Sequence, residues 1–376
     1  MNELLSPTAR TWAEIDMAAL KHNYEIARAT GKKVMCVIKA DAYGHGAVRC
    51  GRYLEKCGAD AFAVACLSEA LELRQGGITK TILILGYTSH AKVLADNDIT
   101  QTLVDESHAL ELNEAAKAAN VTVKGHIKLD TGMSRAGLFA QGHDAAMKAA
   151  EAAERMSKLS NVKVTGMYTH FCVADTPDQD EFTAWQLENY KTVMNYLTEK
   201  GLRPETCHTS NSAGILYHPE TQIDMVREVV ILYGMYPDSM PQYGPLKPVM
   251  TLKSRVSQVR DFPAGATVSY GRTFKGDKPF TTAVVLAGYA DGYPRRLSNN
   301  TTVTINGVRY PQAGRICMDM CMVLADKDKV KRGDEVTLIG GNSISWEDAA
   351  QKVGTINYEL TCLVTNRVPR VYVNED

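Results

Sequence analysis

The chain predicts an α/β protein: a (β/α)8 barrel of TIM type followed by a smaller β-rich domain. Short apolar runs recur eight times, each followed by a helical pattern. Such alternation builds a parallel sheet, and eight units suffice to close one. Past about residue 243 the pattern gives way to alternating strands and tight-turn dipeptides. With 376 residues the chain exceeds one ordinary core, so a large domain plus a smaller one is the natural division. An open doubly wound sheet is the competing arrangement. Gln101–Val104 is short, and the helix after the seventh strand is brief.

The first strand is Val34-Met35-Cys36-Val37-Ile38, five apolar residues ending at Lys39 and the turn-rich segment Ala40–Gly46. Ala61–Cys66, Thr81–Leu85, Gln101–Val104, Gly125–Leu129, Val162–His170, Thr206–Thr209 and Met225–Tyr233 continue the series. Between them, Asp105–Ala119 is rich in alanine and leucine and stops at Asn120, a residue suited to a left-handed cap. Ala145–Leu159 is similar. Glu181–Lys200 carries Phe182, Trp185, Tyr190, Val193, Met194 and Leu197 at helical spacing and ends at Gly201. Pro237–Pro248 is the expected linker, dividing the chain into residues 1–240 and 241–376. Beyond it, Met250, Leu252 and Val256 share a strand face while Lys253 and Arg255 alternate with them. Thr301–Tyr310 is a hairpin turned by Asn306-Gly307. Glu335–Ile339 is another strand, and Ser345 with Asp348 caps a short helix through Val353.

Composition narrows the functional classes. A hydrophobic share of 45% and a charged share of 23% are those of a soluble globular protein. The net charge is −1 and no basic run exists, so neither nucleic acid nor a membrane surface is an expected partner. Met1–Pro7 has no basic or long apolar region of the signal-peptide kind, and a cytoplasmic location is expected. Nine scattered cysteines read as reduced thiols. Cys317 and Cys321 lack a second pair at zinc-site spacing, so no metal is expected.

In such a barrel the chemistry sits at the carboxyl ends of the strands. Lys39 ends the first. A desolvated lysine is driven toward its free amine, the form that makes a Schiff base with a carbonyl compound such as pyridoxal 5'-phosphate (PLP). The alternative is a strand-end lysine that reaches to water. Lys128–Arg135 ends the fifth strand, Tyr168-Thr169-His170 the sixth, and His208–Ser212 follows the seventh. Asn211 and Ser212 open a helix whose amides and hydroxyl suit an anion. Taken singly, His170 reads as a core histidine, Arg135 as a surface ion pair and Ser212 as a cap. Together an amine, an anion cradle, an imidazole and an arginine at one rim match a PLP site.

Over essentially its whole length the sequence resembles the alanine racemases, fold-type III PLP enzymes. Val37–Gly46, Lys128–Arg135, Tyr168–Phe171, Val268–Gly271, Gly288–Gly292, Gly314–Asp319 and Ile356–Glu359 match family motifs in order. The resemblance implies that Lys39 holds PLP and acts as base on one face of the substrate. Tyr270, from a partner subunit, is the implied base on the other face, which requires a homodimer with shared sites. Arg135 and the backbone amide of Met318 would bind the substrate carboxylate. Tyr43, Ser212 and Tyr358 would hold the phosphate, with Asn211 beside Ser212. His170 would stack near the ring and Arg227 would face the pyridine nitrogen. Asp175, Tyr289, Arg295 and Arg315 match residues lining the path by which substrate enters. The implied role is interconversion of L- and D-alanine, with D-alanine passing to peptidoglycan. Racemisation needs an acid on the face opposite the base, so two flanking groups are the minimal design. Both titrate near pH 10 when free, and both are expected to be tuned downward.

Two departures stand out. Val229 occupies a position where the family usually has glycine, from which weaker cofactor affinity or a repositioned strand end is expected. Met235–Asp238 also differs from the family pattern. In some members the lysine matching Lys128 is carbamylated. A serine-preferring or broad-specificity racemase is the nearest alternative, against which Tyr358 stands. A non-catalytic PLP carrier lacks the second domain.

Overall fold

The structure, a computed structural model, describes residues 9–237 and 246–375. Eight parallel strands pair in sequence order: Lys33–Val37, Ala61–Val64, Thr81–Ile84, Ile99–Leu103, Val123–Asp130, Val162–Tyr168, Thr206–His208 and Met225–Glu228. The last pairs with the first, beginning with Met225 against Lys33, and the sheet closes into a barrel. Each predicted run supplies one of these strands, and the open sheet is excluded. Strands of this kind are buried on both faces, which is why they read as apolar runs without alternation. Ala61–Val64 and Ile99–Leu103 are buried at every residue.

The outer helices begin and end where local chemistry dictates. Asp105 accepts a hydrogen bond from the His108 amide at 2.7 Å and starts Glu106–Ala118. Asn120 takes the left-handed backbone expected of it, at φ 53°. His143–Ser157 buries Ala146, Ala149, Ala150, Ala152 and Ala153, small residues that let it pack closely on Asp180–Glu199. The helix after the seventh strand, Ser212–Tyr217, is as brief as predicted. The eighth strand stops at Glu228, and the apolar residues Val230–Tyr233 form a single 3-10 turn rather than more strand.

The second domain is built on an eight-stranded sheet around Met250–Phe262. Its hairpin Thr302–Ile305 and Val308–Pro311 turns at Asn306 and Gly307, both with positive φ. Ser345 accepts from the Asp348 amide at 3.0 Å and caps Trp346–Val353. One element departs from the division into residues 1–240 and 241–376. Thr11–Asp16 belongs to this second sheet, antiparallel to Met250–Phe262 and parallel to Arg370–Val373. There the strand is paired along both edges, and Trp12, Ala13 and Ile15 are buried. Residues 238–245, where the linker was expected, lie outside the described residues.

Candidate active site

The barrel mouth is organised around the segment after the first strand. That strand ends at Val37, and Lys39 opens a turn in which Ala40, Asp41, Ala42 and Tyr43 have φ of 51°, 53°, 55° and 52°. Left-handed backbone costs L-residues roughly 1–2 kcal/mol each, so the surroundings must hold it. They do so by hydrogen bonds. One carboxylate oxygen of Glu69 accepts from the Ala40 amide and the other from the Ala65 amide, both at 2.7 Å. Asp41 accepts from the Ala47 amide at 2.7 Å, and Arg370 donates to the Gly44 carbonyl at 2.9 Å. Gly44 lies so close to the Thr361 carbonyl oxygen that a Cβ there would meet it at 2.2 Å. That approach brings helix Asn357–Cys362 of the second domain, with Tyr358, onto the mouth of its own barrel.

The Lys39 amine lies 5.9 Å from the centre of the Tyr43 ring. Burial lowers its pKa, the Arg135 charge lowers it further, and Glu69 and Cys362 act against them. The expected drift toward free amine therefore has burial as its first cause and a neighbouring cation as its second. Lys128, at the end of the fifth strand, is buried and donates to the Leu129 carbonyl. Burial first, then the charges of Arg227 and Arg135, push its pKa down to about 7. Gly137 makes the close approach possible, because a Cβ there would stand 2.8 Å from Lys128.

Arg227 is buried on the eighth strand and surrounded by acceptors. Its Nη2 donates to the carbonyls of Thr169 at 2.7 Å and Thr209 at 3.0 Å, with the His170 Nδ1 at 3.3 Å. Its Nη1 donates to the His208 carbonyl at 3.0 Å and to the His208 ring at 3.1 Å. Nε is the donor that these contacts leave over. Burial lowers the guanidinium to about 10, still cationic at neutral pH. His170 is held well below its ordinary pKa by burial and by Arg227, Arg135, Lys128 and Lys39. Four cations thus act on one imidazole.

Ser212 and Asn211 occupy the seventh loop. The Asn211 side chain accepts from the Gly214 amide at 3.0 Å and donates to the Phe171 carbonyl at 3.2 Å, so it serves as a cap. The Ser212 hydroxyl accepts from the amides of Val229 at 3.1 Å and Ile231 at 3.4 Å. Val229 sits at φ −113°, so the left-handed backbone that valine resists is not required here. Burial raises the pKa of Tyr43, and Cys362 and Tyr358 add to the effect. Arg135 is exposed on the loop after the fifth strand, and Asp175 is half-buried on the loop after the sixth.

The remaining candidates gather on the second domain. Tyr270 is 71% exposed, in a turn that Ser269 pins by donating to the Arg315 carbonyl at 2.6 Å. Met318 and Tyr289 are also exposed, and their loops are joined: the Tyr289 amide donates to Cys317 O at 3.1 Å and Ala290 to Met318 O at 3.0 Å. Arg295 and Arg315 share a cleft with Thr273, Arg296, Ser298 and Asn299. Within one chain the site residues therefore form two groups, one at the barrel mouth and one on the second domain.

Sequence reasoning missed several supports. Buried Asp291 pairs with Arg10 at 2.5 Å and Arg367 at 2.7 Å, and Arg367 reaches Asp319 at 2.7 Å. This network ties the Tyr289 and Met318 loops to the strand Thr11–Asp16. Glu69 gave no signal beyond an acid in a helix's first turn. His126 was equally silent, since it falls inside a strand, and His208 was read only as the start of the segment after the seventh strand.

Comparison with known proteins agrees with this arrangement over both domains. Residues 15–237 match the alanine racemase N-terminal domain and residues 249–372 the alanine racemase C-terminal domain. A Methanococcus maripaludis protein named alanine racemase is 42% identical over 374 residues, covering 96% of this chain and 98% of its own. The alanine racemase of Clostridium difficile 630 superposes with a TM-score of 0.91 at 39% identity, with 98% of this chain and 97% of that one covered. The Bacillus anthracis alanine racemase with bound L-Ala-P gives a TM-score of 0.86 at 32% identity, with 98% and 96% covered. On full-length identity of this order, shared by both domains, the chain belongs to the alanine racemase family of isomerases.

Proposed function

We propose that the protein interconverts L- and D-alanine with PLP as cofactor, using Lys39 on one face of the substrate and Tyr270 of a second copy on the other. The observation that carries this reading is the half-buried amine of Lys39 among cations with little compensating acid. The Arg135 charge acts on Lys39, Lys128 and Arg227, and the Arg227 charge on Lys128, opposed at the amines by Glu69, Asp130 and Cys362. Such a wall fits a ligand carrying a phosphate ester and a carboxylate.

The residues present also fit PLP in detail. Lys39 supplies the amine for its aldehyde. The Ser212 hydroxyl already accepts two amides and keeps its own proton to donate. Tyr43 and Tyr358 supply further hydroxyls, and Arg227 Nε would face the ring nitrogen. When bound, PLP supplies the electron sink that makes the α-proton of alanine removable. Arg227, titrating near 10, would hold its proton rather than pass it to the ring. Arg135 would clamp the substrate carboxylate with the Met318 amide of the partner. Lys39, its pKa lowered, would take the α-proton on one face, and the Tyr270 hydroxyl would deliver one on the other.

Tyr358 supports alanine over serine. The nine free cysteines support a reducing, cytoplasmic setting, and D-alanine made there would serve peptidoglycan synthesis. Borohydride reduction followed by peptide mapping is expected to place a pyridoxyl group on Lys39. An adduct elsewhere, or none, overturns the cofactor reading. Chiral chromatography after incubation with single L-amino acids is expected to show D-alanine formed fastest, and faster D-serine would overturn the substrate assignment.

A further inference from the structure

Beneath Arg227 the barrel holds two imidazoles to which the reading above gives no role. His126 lies on the fifth strand and His208 on the seventh, both buried. His126 Nδ1 stands 3.0 Å from His208 Nε2, and His208 Nδ1 stands 3.1 Å from Arg227 Nη1. A guanidinium nitrogen can only donate, so His208 Nδ1 must accept. A neutral His208 then carries its proton on Nε2. That proton points at His126 Nδ1, which must accept in turn, and the proton of His126 sits on Nε2. Arg227 and His126 therefore favour the same His208 tautomer from its two sides, one as donor and the other as acceptor.

Both rings are neutral. Burial lowers His126 to about 4, and burial with Arg227, His126 and Lys128 holds His208 well below its ordinary value. The slot for His126 is also built. Gly166 occupies the interior of the sixth strand, where glycine weakens pairing, and any Cβ there would stand 2.5 Å from the His126 ring. Tyr168, on the same strand, stacks on His208 with ring centres 4.9 Å apart and planes 6° from parallel.

We propose that His126 is a positioning residue: by accepting from His208 Nε2 it fixes the tautomer whose Nδ1 accepts from Arg227, and so aims the guanidinium at the cofactor ring. Without an acceptor at position 126, His208 is free to move its proton to Nδ1. That N–H would face an Arg227 N–H, and the guanidinium would turn away. The last step rests on the PLP reading, whereas the tautomer does not.

The test uses His126→Leu, which removes the acceptor, and His126→Asn, whose amide oxygen falls near the lost Nδ1. Long-range 1H–15N NMR of the full chain reads the His208 tautomer whether or not cofactor is bound. Wild type and H126N are expected to show the proton on Nε2 alone, and H126L a mixture or the Nδ1 form. In the loaded enzyme H126L is expected to lower kcat by roughly tenfold to a hundredfold, the scale of a misplaced group, with KM for alanine little changed and H126N recovering most of the loss. A wild-type His208 protonated on Nδ1 overturns the proposal, and so does an H126L chain that keeps the Nε2 tautomer. Should H126L fail to fold, the wild-type and H126N spectra still decide the question. Absence of PLP from Lys39 would refute the cofactor reading and leave the tautomer result standing.

Discussion

Lys128 is the residue whose electrostatics make the sharpest demand on solution behaviour. It is a buried lysine with cations beside it, so folding discharges it. Its folded-state pKa of about 7 lies below that of an unfolded lysine. Between the two values the unfolded chain binds more protons, and stability rises with pH across that window and is lost as pH falls toward 7. Lys128→Met is expected to be more stable than wild type at pH 7 and to show a flatter Tm between pH 7 and 10. A wild-type profile already flat in that range would refute the assignment. The same neutral amine is the form that reacts with carbon dioxide. Intact mass at raised bicarbonate is expected to show carbamylation at Lys128, and K128M is expected to lack it. Lys39 and Arg135 drew attention in the sequence because charged residues at the carboxyl ends of barrel strands have few structural uses, whereas Arg227 was reached only through the family resemblance. Glu69 and His126 were not, because their roles consist of contacts to backbone amides and to another ring.

The turn Ala40–Tyr43 shows how an element can be held against its own preference. Four consecutive left-handed residues have no local reason to exist, and composition gave no warning of them. Their support comes from Glu69, Asp41 and Arg370, and from Gly44 resting against Thr361 O. Gly44→Ala is expected to cost about 2 kcal/mol or more, since a Cβ would collide with the backbone of the helix that carries Tyr358. A lowered Tm together with weaker PLP retention, read by dialysis, is the expected outcome. Loss of stability with unchanged retention would show that the turn does not place Tyr358. Elements set by neighbouring residues were read correctly: the Asn306-Gly307 turn, the Ser345 cap and the end at Asn120 each follow from two or three side chains. At Val229 the strand end turns with φ −113° and ψ −102°, so the left-handed backbone that valine resists is not what this position requires.

Across the whole molecule the decisive feature is the separation of Lys39 from Tyr270. One sits at the barrel mouth, half-buried, and the other projects from the second domain. The proposed completion by a second copy gives a specific expectation. Lys39→Ala and Tyr270→Ala chains, each inactive, are expected to recover part of the activity on mixing, because some mixed dimers hold one intact site. No recovery after verified subunit exchange would refute shared sites. The barrel was legible from eight apolar runs, since a strand buried on both faces writes itself into a few adjacent residues. Placement of Thr11–Asp16 was not, because its two neighbours, Met250–Phe262 and Arg370–Val373, come much later in the chain.

That strand has a consequence for biosynthesis. A ribosome makes residues 11–16 long before residues 250–262 and 370–373, so the nascent chain carries an unpaired apolar edge while the barrel behind it can already close. The second sheet is sealed only when the latest-made strand docks beside the earliest. A stalled or prematurely released chain would therefore expose Trp12 and Ile15, the side chains a holdase chaperone would be expected to grip.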